Sequence, residues 1–583
     1  MKRIIYIAIA CFSLFTISCQ KEISFTKSTT SKDPVIAILQ GNVVDENDNP
    51  AQGANITVGG KTAVTDAKGY FRIRNASLDK SASLVTAEKP GYFKAFRVFS
   101  ASTAVNHVKI KLLKKTLAGS LNTSGGGVVS LSNGSSITFS ANSFSKASGG
   151  TYSGLVNIYA AYIDPTSQDI GETIPGSFLA DDKDNKRVIL ASYAMMAVEL
   201  ESAAGEKLQI STGNTAKLNF SIPSGLQASA PNTIALWYVD EKTGLWKEEG
   251  IATKNGNAYE GDVKHFTYWN CDYPGPTVNV TAKFVSQGGL PLIHTEVWIR
   301  PLTGWGGAHG YTDSLGWING PVPANINLVL EVLAPYPCNN AIYSQNVGPF
   351  SNNTNLGTIT VPGNNSQYIM TIQGKLLNCN SNPVTNGFAE IVYNNITRYA
   401  SVNATGDFSI TFVTCGTAQT TCSITGTDSQ AQQQGQPAIV AVTVPVTNAG
   451  NITACGTSTL EFMNYTLDGG SVNLSSTIPG DNFYESDTLG VNHITLRGYR
   501  SQTENLTLEY ASNGAAGTFP VSFFSTGIYF SGGGNSTIIQ PFNIVITSHP
   551  PVGGYFEGSF SGQFKDVLNV THNLNGTFRI KRR

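Results

Sequence analysis

The sequence predicts an all-β chain, with tandem small β-sandwich modules arranged around a larger all-β domain. Three observations carry that expectation. One turn figure is used three times: Thr65-Asp66-Ala67-Lys68-Gly69-Tyr70-Phe71, Thr312-Asp313-Ser314-Leu315-Gly316-Trp317-Ile318 and, more loosely, Val402-Asn403-Ala404-Thr405-Gly406-Asp407-Phe408. Asp or Asn at the first turn position can accept from backbone two residues on, and Gly at the last tolerates positive φ. Each copy sits late in a similar run of strand-like segments, which argues for diverged modules. Second, 59 glycines accompany only 13% charged residues, with Ser, Thr, Asn and Val plentiful; that mixture suits short strands joined by tight turns. Third, long helical periodicities are absent, whereas Val108-Lys109-Ile110-Lys111-Leu112 alternates with period two.

At 583 residues the chain exceeds one hydrophobic core and divides into several domains. The N-terminus reads as an export signal. Lys2 and Arg3 precede an apolar run from Ile4 to Ile17, too short to span a bilayer and of the length of a secretory segment. The run ends Leu14-Phe15-Thr16-Ile17-Ser18-Cys19. This resembles a bacterial lipobox, with Thr16 standing where that pattern favours an aliphatic residue. The resemblance implies cleavage after residue 18, acylation of Cys19 and attachment to a membrane through the lipid. Residues 1–19 are thus expected to be a lipoprotein signal peptide, and the polar stretch 20–34 a flexible tether.

Residues 35–115 hold the first module. A strand over Ile38–Val44, a turn at Asp45–Pro50, a strand over Ala54–Val58, the Thr65–Phe71 hairpin and a closing strand at Val108–Leu112 follow in order. Gly41, Val43, Asp45, Pro50, Gly53, Ala54, Ile56, Val58, Thr65, Asp66, Gly69, Phe71, Gly91 and Tyr92 together resemble the carboxypeptidase regulatory-like domain, a transthyretin-like (Ig-like) β-sandwich. In that family the module is an accessory, and the resemblance implies a fold and no activity. Asp45, Glu46 and Asp48 lack the spacing and the later Glu of a calcium loop.

Residues 116–275 are expected to form the larger all-β domain. Its segments, from Ser130–Phe139 through Ala235–Gly250 to His265–Asp272, resemble the β-region of cartilage intermediate layer proteins, which implies a matrix or surface component with no catalytic residues. Trp237 and Trp246 flank the turn Asp240–Gly244, as a hairpin whose aromatics fill a core. Tyr273-Pro274-Gly275-Pro276 reads as a hinge. Residues 276–363 and 364–457 are expected to be a second and a third regulatory-like module, and 458–583 a C-terminal all-β domain.

Function is less legible. The net charge of −1 offers no footprint for nucleic acid. The seven histidines include no HExxH or other metal-ligand spacing, no Gly-x-Ser-x-Gly elbow occurs, and no carboxylate pair stands out. No cofactor, metal or catalytic residue is therefore expected. Apart from Cys11 and Cys19 there are six cysteines, an even number in an exported chain, which favours disulfides. Cys379, Cys415, Cys422 and Cys455 are expected to pair among themselves, with Cys271–Cys338 as a third bridge. The Gly-rich stretch Thr303–Tyr311 offers Trp305, His309 and Tyr311 as an exposed contact loop. Asp313-Ser314-Leu315 and Asp487-Thr488-Leu489 resemble the O-glycosylation sequence of exported Bacteroidota proteins, which implies glycan on Ser314 and Thr488. The reading is an outer-membrane, surface-exposed lipoprotein of Bacteroidota type, a scaffold or adhesion protein binding glycan or protein without catalysis. The alternative is a surface glycan-processing hydrolase whose site is not recognisable from sequence.

Overall fold

The computed structural model describes residues 33–582, apart from 303–305, 363–367, 416–418, 477–481, 489–492, 528, 530, 532–535 and 551–553. Cys19 and Trp305 lie outside the described residues. The described chain is almost entirely β, and its single helix is the four-residue Ile170–Thr173.

Three modules repeat one topology. In the first, strand Pro34–Val44 lies between Tyr70–Asp79, antiparallel, and Val105–Lys111, parallel; the facing sheet runs Lys61–Val64, Asn55–Val58, Ser83–Glu88, Ala95–Phe99. In the second, Thr277–Ser286 lies between Trp317–Pro323 and Thr354–Val361, facing Ala308–Tyr311, Glu296–Pro301, Leu328–Leu333 and Ala341–Val347. In the third, Ile369–Leu377 lies between Asp407–Val413 and Val446–Thr453.

The recurrent turn has one structure throughout. Oδ1 of Asp66 accepts from the backbone N–H groups of Lys68 and Tyr70. Asp313 does the same for Leu315 and Trp317, and Asn403 for Thr405 and Asp407. The turn glycine sits at φ 67° in Gly69, 79° in Gly316 and 81° in Gly406. Its carbonyl accepts from the first strand, at Val43, Phe284 and Leu376 respectively. A Cβ on Gly69 would fall 2.2 Å from the Val43 carbonyl oxygen, so both the backbone angle and the close approach require glycine.

The larger domain, Leu117 to Gly275, is one 13-stranded sheet curled around two cores. Its axis is the strand Arg187–Ser202, which pairs with Leu155–Ile163, Leu179–Asp181, Lys207–Ile210 and Tyr268–Gly275. Val239 pairs with Trp246 across the predicted hairpin, and Trp237 and Trp246 are both wholly buried. The expected hinge is absent: Pro274 and Gly275 continue a strand paired with Leu190 and Ile189, and Thr277 opens the next strand at once. Pairing to a long central strand has overridden the turn signal of the prolines.

The last domain is a nine-stranded antiparallel sheet in the order Gly470–Ser475, Phe462–Leu467, Thr571–Lys581, Tyr555–Asp566, Ser536–Ser548, Gly517–Thr526, Asn505–Ala511, His493–Tyr499, Asn482–Thr488. Seven phenylalanines, from Phe519 to Phe578, lie in its buried core. The two ends approach each other, since Arg500 Nη2 donates to the Asn473 carbonyl and Tyr465 donates to that of Asn505.

The modules are not separate beads. One core joins Phe93 and Phe96 of the first module, Trp237 and Trp246 of the larger domain and Trp298 of the second module. Another places Ile293 of the second module among the core residues of the third. Backbone bonds cross the joints: Val98 donates to Gly176, Ser314 to Val105 and Ile293 to Thr411. The cores are thus shared across module boundaries, not confined to single modules. The cysteines differ from expectation too. Cys338 bonds Cys415, tying the second module to the third, and Cys379 bonds Cys455 within the third. Cys271 and Cys422 are buried free thiols.

Candidate functional site at the buried joint between modules

The strand Val105–Lys111 alternates faces, so Val108 and Ile110 enter the first module's core while His107, Lys109 and Lys111 share the opposite face. In an isolated sandwich that face would meet solvent. Here it meets the short helix of the larger domain and one sheet of the second module. That sheet presents Glu296 opposite Tyr311 and Trp298 opposite His309.

The contacts form a closed ionic lattice. Lys109 Nζ lies 2.8 Å from Glu172 Oε2 and 3.5 Å from Asp48 Oδ1. Lys111 Nζ lies 2.7 Å from Asp48 Oδ2 and 2.8 Å from Asp169 Oδ2. Tyr311 donates to Glu172 Oε1 at 3.0 Å, and Trp298 Nε1 to Glu296 Oε1 at 3.3 Å. His309 Nε2 is 3.0 Å from the same Glu296 oxygen. Arg97 donates to the carbonyls of Gly171 and Glu172 at the short helix.

Burial raises the Asp169 pKa, but the bonds from Lys111 and Ser167 outweigh it and hold the carboxyl below its usual range. Glu296 behaves likewise, burial being outweighed by its bond to His309. For Lys109, burial favours loss of the proton, yet Glu172 and Asp48 carry its pKa above normal. Burial and Glu172 push the Tyr311 phenol well up. Asp169, Glu296 and Lys109 therefore stay ionised near neutral pH.

Two spaces adjoin it. A pocket of about 350 Å³ is lined by Asp48, Lys109, Asp169, Glu172, Glu296 and Asn339, among others. A cavity of about 150 Å³ lies where the first module, the larger domain and the second module meet. Glycoside hydrolysis requires one carboxyl with a raised pKa as acid and a second free to act as nucleophile or base. Asp48, Asp169 and Glu172 are bound to lysine and Glu296 to His309 and Trp298. The one carboxyl described as pushed well up by burial, Asp272, lies inside the larger domain bonded to Asn270. Among the described residues no group of three or more metal-ligating side chains is gathered.

A second cluster lies where the first module meets the third. Arg72 stacks over Tyr399, 4.4 Å from its ring centre, and donates to Gln40. The His107 and His294 rings stack at 4.8 Å. Arg398, only 5% exposed, lies 3.8 Å over the Phe412 ring with Nε and Nη1 unpartnered.

The residues singled out from sequence fall as follows. His309 and Tyr311 are buried in the lattice, not on an exposed loop, because Gly307 turns the chain into a strand paired with Glu296–Pro301. Ser314 lies in the contact with the first module, its Oγ accepting from the Val105 N–H, so glycan there would have to displace a module contact. Thr488 ends the strand Asn482–Thr488. Glu172, Glu296, Lys109 and Lys111 were not singled out. For Lys109, Lys111 and Glu296 the only sequence signal was charge on one face of an alternating strand, which reads equally well as a solvated face, and Glu172, in the short helix, carried none.

No family model matches the chain. Over 118 residues it is 27% identical to cartilage intermediate layer protein 2 of Homo sapiens, which covers 20% of this chain and 10% of that protein. The chain thus spans about a tenth of the curated relative it matches. Among solved structures, a Streptococcal ancillary pilin is similar at 12% identity and TM-score 0.14, covering 38% of this chain and 92% of that one. A shaft pilin of Lactobacillus rhamnosus GG gives 11% identity and TM-score 0.17, covering 31% and 98%. The Bacillus anthracis TIE protein gives 7% and 0.14, covering 59% and 70%. Superpositions at these scores carry no argument, and the β-sandwich reading rests on the sheets themselves.

Proposed function

We propose that this protein is a lipid-anchored surface scaffold or adhesion protein, held to the outer membrane through Cys19, that presents binding surfaces for glycan or protein without catalysis. One observation carries the reading. The charged side chains at the centre of the molecule are committed to holding modules together, and the Cys338–Cys415 bridge locks the same assembly covalently. Disulfides belong to an oxidising compartment, which supports export. A joint so fully cross-linked suits a rigid platform better than a site that must open for substrate.

The mature protein, assayed on glycosides, esters and peptides, should show no turnover, while arrays of surface polysaccharides and matrix proteins should return a ligand. Cys19→Ala should release the protein from membranes; retention of the variant there would remove the lipid anchor from the proposal. The glycan-processing alternative draws on the four carboxylates lining the larger pocket. Hydrolysis abolished by Glu172→Gln in a variant that keeps its melting temperature would establish that alternative.

A further inference from the structure

The strand Ala438–Ala441 ends one sheet of the third module. Among the described residues its one ladder partner is the strand Thr421–Asp428, so its other edge is unpaired. Val442, just beyond it, donates to the Thr420 carbonyl. Backbone groups alternate sides along an antiparallel strand, so residues 438, 440 and 442 face the ladder while Ile439, Ala441 and Thr443 face away from it. Thr443 is already engaged: its N–H donates to Thr447 Oγ1, and that hydroxyl donates to its carbonyl. No turn, loop or side-chain bond among the described residues reaches the backbone of Ile439 or Ala441.

The side chains are equally bare. Ala438, Val440 and Val442 pack on the module's core, whereas Ile439 is 71% exposed and Ala441 is exposed beside it. Sheet edges in natural proteins are usually guarded by a lysine or another charge, by proline or by a bulge. Here no charged residue occurs between Asp428 and Glu461. Pro437 and Pro445, which lack N–H groups, confine pairing to the residues between them. That pattern fits a second copy of the same edge. Turned about a two-fold axis at Val440, the strand meets itself antiparallel, with Ile439 facing Ala441 of the second copy and Ala441 facing that copy's Ile439. Both pairs then join the residues whose outward N–H and C=O groups are free, and each pair exchanges both bonds. The large Ile439 side chain lies beside the small Ala441 on one face, with no charge to repel. Sliding the copies by two residues would set Ala441 against Pro437 or Ile439 against Thr443, whose groups are missing or engaged.

We propose that the edge Ala438–Ala441 is a homodimer interface, through which two copies of this chain join their third modules into one continuous sheet. The two-fold pairing uses up both edges and closes at two copies. This goes beyond the scaffold reading, which names glycan or protein ligands and no assembly of the chain with itself.

A strand pair this short makes a weak contact, so the test is sedimentation of the purified protein up to its solubility limit, together with disulfide trapping. The protein should pass reversibly from monomer to dimer as its concentration rises. Ile439→Lys places two ammonium groups on the diagonal of the pairing and should weaken association at least about tenfold. Ile251→Lys, on the larger domain at a residue 68% exposed, should leave association unchanged. Under mild oxidation, Ile439→Cys mixed with Ala441→Cys should form a linked dimer several-fold faster than either variant alone, because opposed residues lie about 5.5 Å apart between Cα atoms and a disulfide spans that distance. Cys422 is buried opposite Val440 on the core face and does not compete. A protein that stays monomeric, with no faster cross-link in the mixture, would leave this edge to a strand of another protein, and the proposal falls. Ile439→Cys alone linking as fast as the mixture, or association untouched by Ile439→Lys, would overturn it as well. Where Ile439→Lys melts below the parent, Ala441→Lys takes its place in the comparison.

Discussion

Acidification should loosen the module joint through His107 before it touches the carboxylates. The His107 ring is stacked on His294 at 4.8 Å and meets Tyr311 edge-on at 5.2 Å. Burial, then the charges of Arg398 and Lys109, push its pKa from 6.5 down to about 3. His294 is driven in the same direction by burial, His107, Arg398 and Arg72. The unfolded chain binds the proton near pH 6.5, whereas the folded joint refuses it until about pH 3. Protons therefore favour unfolding throughout that window, and stability rises with pH across it. At about 1.4 kcal/mol per pH unit, going from pH 6.5 to about pH 4 costs about 3 kcal/mol from His107 alone. Asp169 and Glu296, whose folded pKa values lie below the ordinary carboxylate range, add their own losses only below about pH 4.5. The assay is the urea midpoint of the protein at half-unit pH steps. The double variant His107→Phe/His294→Phe should fall much less steeply than the parent between about pH 6.5 and 4.5, His265, also lowered by burial, keeping a remainder. A parent without that slope, or a double variant that keeps it, would refute the assignment of the slope to the stacked histidines.

Three other expectations follow from named contacts. Peptide mapping without reduction should find Cys338–Cys415 and Cys379–Cys455 with Cys271 and Cys422 as thiols, and Cys338→Ser/Cys415→Ser should cost ~4 kcal/mol for a closed loop of 77 residues, read by chemical denaturation. Arg398→Met keeps the stem over Phe412 and removes a buried charge without a carboxylate partner, so its melting temperature should hold or rise, by up to ~1–4 kcal/mol of stability; a large loss would reveal a counter-ion. Asp66→Ala should cost ~1–2 kcal/mol through its turn, and Asp313→Ala more, because Asp313 Oδ2 also accepts from Ser102 across the module joint.

The three turns were legible because a turn is a local object: Asp or Asn, two spacers and Gly within a few residues specify it. The Trp237–Trp246 hairpin was legible for the same reason. The joint was not. Lys109 and Lys111 alternate with Val108 and Ile110 as a solvated strand would, and Glu172 and Glu296 arrive from other domains. Nothing in a two-residue period says whether the polar face meets water or another module. His309 and Tyr311 were noticed as aromatics, but their exposure was inferred from neighbouring glycines, and the structure uses Gly307 to bring the strand inward. Cysteine pairing failed on geometry: Cys338 lies in the second module's sequence yet beside Cys415 in space, at the same docking of second on third module in which Ile293 donates to Thr411.

The order of strands in the last domain sets a timetable for its assembly. Strand Phe462–Leu467 pairs on one side with its own hairpin partner and on the other with Thr571–Lys581, so Phe462 must wait for Arg579. A chain made N-terminus first delivers the seven intervening strands of the sheet before the one that seals it. Until then a Phe-rich core and two unpaired edges stand open, the condition in which sheet proteins fold slowly and stick to one another. Removing the segment Thr571–Lys581 would therefore excise an inner stave rather than trim an end, splitting the sheet between Leu467 and Tyr555. Assembly of this sheet therefore has one late, decisive event, the arrival of Thr571–Lys581 between its two neighbours.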